Sequence, residues 1–172
     1  MKALVPLALL AILVSGASCV TTDSGSDFEK QYERPYQGAT FQLRQPALVT
    51  AVLKQGEGRA VHYFRLEQSG STMGIYEGIE PPRLFSPKEK GLVVTRRGNT
   101  SREEIEQGDD VWGEDAEGNL WRESVWHCRR TVRDDRGKTF HLPTILHIWY
   151  FGVPQEHQGI FDAMIDTIEM KR

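Results

Sequence analysis

From Ala39 to Phe151 the chain is broken into short runs of branched and aromatic residues: ATFQL, ALVTAVLK, AVHYFRLE, TMGIYEGI, LVVTRR, DVWGE, NLWRESVWHCRRTV and KTFHLPTILHIWYF. Partial alternation with period two makes these strands rather than helices. The clusters between them have the composition of hairpin loops: Gln55-Gly56-Glu57-Gly58, Gln68-Ser69-Gly70-Ser71, Asp115-Ala116-Glu117-Gly118-Asn119 and Asp134-Asp135-Arg136-Gly137. An antiparallel meander of hairpins is expected.

Two segments break the strand rhythm. Ser101-Arg102-Glu103-Glu104 fits a capping box with Gly108 as a stop, which predicts a short polar surface helix. In GIFDAMIDTIEMKR, Ile160, Met164 and Ile168 fall four apart, as do Phe161 and Ile165, and Asp162, Asp166 and Glu169 take the other side. That spacing predicts an amphipathic helix, with Lys171 and Arg172 at the negative end of its dipole. Its apolar face must be buried on the sheet. The expected fold class is therefore α+β, an antiparallel sheet with a C-terminal helix packed on one face.

Composition changes this picture little. A chain of 172 residues suits one domain, and 39% hydrophobic with 26% charged residues is ordinary for a globular protein. The net charge of −3 gives no reason to expect a nucleic-acid partner. With only two cysteines, Cys19 and Cys128, no disulfide framework is expected.

The N-terminus does change it. Lys2, the apolar run Ala3 to Val14 and the small residues Ser15-Gly16-Ala17-Ser18 have the proportions of a secretory signal. The apolar run is 12 residues long and contains Pro6, against roughly 20 needed to span a bilayer. Gly16-Ala17-Ser18-Cys19 resembles the lipobox of bacterial lipoproteins, with Gly16 where that family usually has Leu or another aliphatic residue. The resemblance implies two or three acyl chains on Cys19, and two or more give stable anchoring. Val20, rather than Asp, resembles lipoproteins sorted to an outer membrane. Cleavage after Ala17 or Ser18 without lipidation is the alternative. The expected organisation is a signal peptide over 1–18, lipidated Cys19 and a flexible tether over 19–35, and one domain over 36–172.

The layout of the mature part, an opening FQL strand, a run of hairpins and a closing FDAMIDTIEM helix, resembles the PsbP-like α/β/α sandwich of small lipoproteins. That resemblance implies binding or assembly rather than catalysis. A lipocalin-like barrel is the second layout, disfavoured because the early Gly-x-Trp is absent and the helix is the last element.

Candidate chemistry concentrates between Asn119 and Phe151. A two- or four-residue loop at Asp134–Gly137 would place even-numbered residues of the first strand with odd-numbered residues of the second. Trp121, Val125 and His127 then join Leu142, Leu146, Ile148 and Tyr150 as the floor under the helix. Arg122, Trp126, Cys128 and Arg130 join His141, Ile145, His147 and Trp149 on a chemically mixed face. From it, Arg122, Trp126, Cys128, His147 and Trp149 form the expected ligand or partner face. Cys128 beside His147 invites a thiolate–imidazole reading, set against a small buried hydrophobe. His62, His127, His141, His147 and His157 lack metal-ligand spacing. Asp109, Asp110, Glu114 and Asp115 lack the order of a calcium loop. The basic tip, Arg129, Arg130, Arg133, Arg136 and Lys138, reads as a solvated turn or as a contact for anionic head groups.

No catalytic, metal or cofactor signature emerges, and no cofactor is expected. The expectation is a non-enzymatic envelope lipoprotein, held by lipid on Cys19 and serving as a binding or accessory module for an envelope protein. The alternative is a carrier of a small apolar ligand between Trp126 and Trp149.

Overall fold

The structure, a computed structural model, describes residues 34–80, 87 and 91–171. The signal peptide, Cys19 and most of the expected tether lie outside the described residues.

Among the described residues the chain is mostly antiparallel β-structure, in two sheets with one helix. Strands β1 (Arg34–Gln37) and β2 (Phe41–Gln45) open a small sheet. The large sheet contains β3 (Val49–Gly56), β4 (Arg59–Leu66), β5 (Thr72–Gly78), β6 (Val93–Asn99), β7 (Ile105–Glu114), β8 (Leu120–Arg133) and β9 (Thr139–Val153). Helix α1 (Gln155–Asp166) follows, and β10 (Glu169–Met170) returns to the small sheet. The large sheet runs β3-β4-β5-β9-β8-β7-β6, two hairpin meanders joined where β9 pairs with β5. The small sheet runs β1-β2-β10. All eight predicted strand runs are strands, joined at the predicted hairpin loops.

Packing follows the period-two pattern. Phe64, Met73, Ile75, Leu146, Ile148 and Tyr150 project from the large sheet onto Phe41 and Leu43 of the small sheet and onto Phe161, Met164 and Ile165 of α1. The rings of Tyr150 and Phe161 stack at 5.8 Å. Fully burying side chains of this size contributes about 1.5–3 kcal/mol each. Tertiary packing therefore holds a helix whose 12 residues would be marginal alone.

Four expectations are corrected. Ser101–Glu104 is no helix: Arg102 bridges to Ile105 in the tight connection between β6 and β7, and its guanidinium donates to the Ile168 carbonyl at 2.7 Å. Helix α1 stops at Asp166. Thr167 caps it, its hydroxyl donating to the Met164 carbonyl and accepting from the Arg44 amide, and Ile168 enters the core in extended chain. Lys171 consequently leaves the helix dipole and donates through Nζ to the Gly38 carbonyl at 2.6 Å. Arg34 and Pro35, expected in the tether, open β1; an edge strand tolerates a residue with no N–H.

The fourth correction concerns the β8–β9 hairpin. Asp134 pairs with Lys138 across a three-residue loop, with Gly137 at φ 78°, a left-handed position suited to glycine. An odd loop makes like parities share a face. Arg122, Trp126 and Cys128 oppose Tyr150, Leu146 and Thr144.

Candidate functional site

The register divides the expected face in two. Arg122, Trp126 and Cys128 point into the core beneath α1, whereas His147 and Trp149 point to the opposite side of the sheet. Cys128 and His147 are thus separated by the sheet itself. The Cys128 thiol is pushed up to about 12 by burial and, secondarily, by the charges of Glu104 and Glu106. It is the small buried hydrophobe of the alternative reading. In the folded protein Cys128 is expected to resist a thiol reagent at pH 8 and to react once denatured; labelling at the same rate in both states would show that the site opens.

Each remaining member of the set has its own structural role. Arg122 is 7% exposed and sits among acceptors: Nη2 lies 3.2 Å from Asp110 Oδ1, Nη1 3.0 Å from Asp162 Oδ1, and Nε donates to Ser124 Oγ. Ser124 and Thr100 also donate to Asp110, and the Tyr150 hydroxyl and Gln158 donate to Asp162. Trp112 lies beneath both Arg96 and Arg122. Trp126 is buried with the Arg102 guanidinium over its ring at 5.2 Å. On the other face, His147 Nε2 lies 2.8 Å from Glu123 Oε1, both buried. Trp149 lies flat over Gly74, where a Cβ would fall 2.3 Å from the ring; only glycine fits that strand position.

The other candidates are also dispersed. His62 is in the core, His127 half-buried and His141 exposed on the large sheet, and His157 on α1. Asp110 belongs to the arginine cluster, and Asp115 Oδ1 accepts the amides of Glu117 and Asn119 in its turn. At the basic tip Arg129 pairs with Glu106, and Asp134 Oδ1 accepts the amides of Arg136 and Lys138.

A different constellation lies at the end of the sheets. Glu77 alternates with Met73 and Ile75 on β5 and therefore points inward. Its Oε1 accepts from the Ala39 amide at 2.9 Å and from His62 Nε2 at 2.8 Å. Its Oε2 accepts from the Thr40 amide and hydroxyl at 2.9 and 2.8 Å. The opposite nitrogen of His62, Nδ1, meets the Tyr36 hydroxyl at 2.8 Å. A carboxylate can only accept, so His62 Nε2 is the protonated nitrogen of that pair. Burial alone would raise the Glu77 carboxyl, but these four hydrogen bonds outweigh it and hold the group at about 2. Burial, then the Glu77 charge, pushes the Tyr36 hydroxyl up. The chain Tyr36–His62–Glu77–Thr40 stitches the small sheet to the large one.

Outside this stitch lies a cleft of about 460 Å³, within the range of small-molecule sites. The Ala39–Thr40 turn, the Gln55–Ala60 hairpin, Glu77–Ile79 and Leu142–Thr144 line it. Ile79 and Leu142 are 66% and 48% exposed at its rim. Arg59 and Arg130 flank it, and neither guanidinium has a hydrogen-bond or ion-pair partner among the described residues. A wider depression of about 760 Å³ near Gln42 and Met170 is polar, and its cations are engaged: Arg102 with Asp166 and Ile168, and Lys171 with Gly38.

Sequence reasoning weighed His62 only as a metal ligand and passed over Glu77 and Arg59. The signal was present: in AVHYF and TMGIYEG, His62 and Glu77 occupy the apolar parity of their strands, where a polar residue must find a buried partner. No protein-family model and no curated protein matches the chain.

Proposed function

We propose that this chain is a membrane-anchored envelope lipoprotein acting as a non-enzymatic binding or accessory module, with the cleft end of the two sheets as its binding surface. The observation that carries the binding reading is the open cleft, with guanidinium groups that have no partner among the described residues and exposed Ile79 and Leu142 at its edge. Exposed apolar side chains grouped around a concavity mark interaction sites rather than ordinary surface. A catalytic role finds less support. Cys128 and His147 lie on opposite faces, and the buried carboxylates Glu77 and Asp110 and the half-buried Asp162 each accept several structural hydrogen bonds.

The anchor rests on Gly16-Ala17-Ser18-Cys19. Val20 supports delivery to an outer membrane where the host has one. Among the described residues no helix is long and apolar enough to span a bilayer. Expressing Cys19→Ala and fractionating the host should move the protein from membranes to the soluble envelope fraction. Retention equal to the parent's would place the anchor elsewhere. In-cell cross-linking of the parent should capture an envelope protein, and Leu142→Asp at the cleft should abolish that product.

A PsbP-like sandwich remains the finer reading of the fold. It is supported by α1 on one face of the large sheet and by the burial of His147 and Glu123 on the other, where a second layer would sit.

The carrier reading is favoured by the cleft, but with a changed location. Trp126 and Trp149 cannot line one groove from opposite faces. A small ligand belongs instead between Arg59 and Arg130.

A further inference from the structure

We propose that the cleft holds a single-chain anionic amphiphile, its acidic head group at Arg59 or Arg130 and its hydrocarbon chain along Ile79 and Leu142. The inference rests on the cleft reading above and adds the chemistry of the occupant.

Charge complementarity carries it. A guanidinium at a partly apolar site normally finds a carboxylate, yet Arg59 and Arg130 have no such partner among the described residues. Among the described residues that line the cleft, the one carboxylate is Glu77. Both its oxygens are already committed to Ala39, Thr40 and His62, so it cannot swing out to neutralise an arginine. With Glu77 ionised, Arg59, Arg130 and Glu77 leave one net positive charge among the described lining residues for a ligand to match.

The walls select the rest of the molecule. Ala60, Ile79, Leu142 and Pro143 present hydrocarbon, and Phe140, 41% exposed, extends the same side of β9 two residues beyond Leu142. A small inorganic anion would leave that surface wet. A neutral hydrocarbon would leave both guanidinium groups unanswered. One acidic head on one flexible chain satisfies both and fits about 460 Å³.

The test uses the Cys19→Ala protein recovered from the soluble envelope fraction. The uncharged dye N-phenyl-1-naphthylamine reports occupancy, and dodecanoate, dodecanol and inorganic phosphate compete below their aggregation concentrations. Dodecanoate should displace the dye at one per chain, about tenfold or more better than dodecanol, the effect of one charged hydrogen bond. Phosphate alone should not displace it. In Arg59→Gln with Arg130→Gln that preference should vanish while dye binding persists, and lysine at both positions should restore part of it. Circular dichroism and unfolding midpoints matching the parent's keep the result from being a folding defect. Dye binding blocked by Leu142→Asp, with dodecanoate no better than dodecanol, overturns the anionic assignment and leaves the cleft reading standing. Failure of every probe to bind overturns the anionic assignment and the small-ligand reading of the cleft together.

Discussion

Glu77→Gln is expected to lower the free energy of unfolding at neutral pH by roughly 3 kcal/mol. The magnitude follows from the carboxyl being held at about 2 rather than 4.5, at about 1.4 kcal/mol per decade. The amide keeps the shape of the carboxylate but turns one acceptor into a donor. That donor faces Ala39 N–H and His62 Nε2, or the Thr40 amide and hydroxyl, all of which donate. Because the folded value lies below the unfolded one, the carboxylate's stabilisation is fully present above about pH 5 and is lost as the pH falls through about 2. Parent and variant should therefore differ most at neutral pH and converge in acid. Urea midpoints at pH 7, 4 and 2 measure this. A gap of the same size at pH 2 would mean that packing, and not the buried charge, is what Gln disturbs.

Arg122→Met should cost about 3–5 kcal/mol, the range for removing one partner of a buried ion pair. Asp110 is 2% exposed and would be left with only Ser124 and Thr100, among the described residues, to donate to it. Asp162, 27% exposed, loses less because Tyr150, Gln158 and water still reach it. Adding Asp110→Asn to Arg122→Met removes the carboxylate that has lost its partner, so the double variant should be more stable than Arg122→Met alone. Denaturant unfolding of the parent, both single variants and the double closes the cycle. A loss below about 1 kcal/mol for Arg122→Met would show that this cluster is hydrated rather than closed.

The two arginine-bearing regions of the β8–β9 hairpin show where sequence reading succeeds and where it stops. Eight strand runs and their loops were legible because branched residues, glycines and aspartates act locally, within a few residues of where they sit. So was the apolar side of β9, because Leu146, Ile148 and Tyr150 share a parity whatever faces them. The partner side was not. One residue in the loop, three rather than two or four, exchanges the faces of an entire strand, and with them went the expected grouping of Arg122, Trp126, Cys128, His147 and Trp149. The end of α1 failed for a related reason: Ile168 continues the four-residue spacing, but its burial is achieved in extended chain once β10 pairs with β2. The cleft was least legible of all. Its walls come from β1–β2, β3–β4, β5 and β8–β9, and no local pattern records which loops meet.

β2 has one neighbour a few residues away and another at a sequence separation of 127, where Gln42 meets Glu169. A pairing that closes so long a loop bears a large entropic cost before it gains any contact. The small sheet should be the last part of the molecule to assemble. Ala39 and Thr40, which complete the cleft and hold Glu77, lie in the turn that this strand secures through the Lys171 amide and the Thr40 carbonyl. A chain folded only through its large sheet has no finished pocket, so ligand capture would double as a readout of maturation.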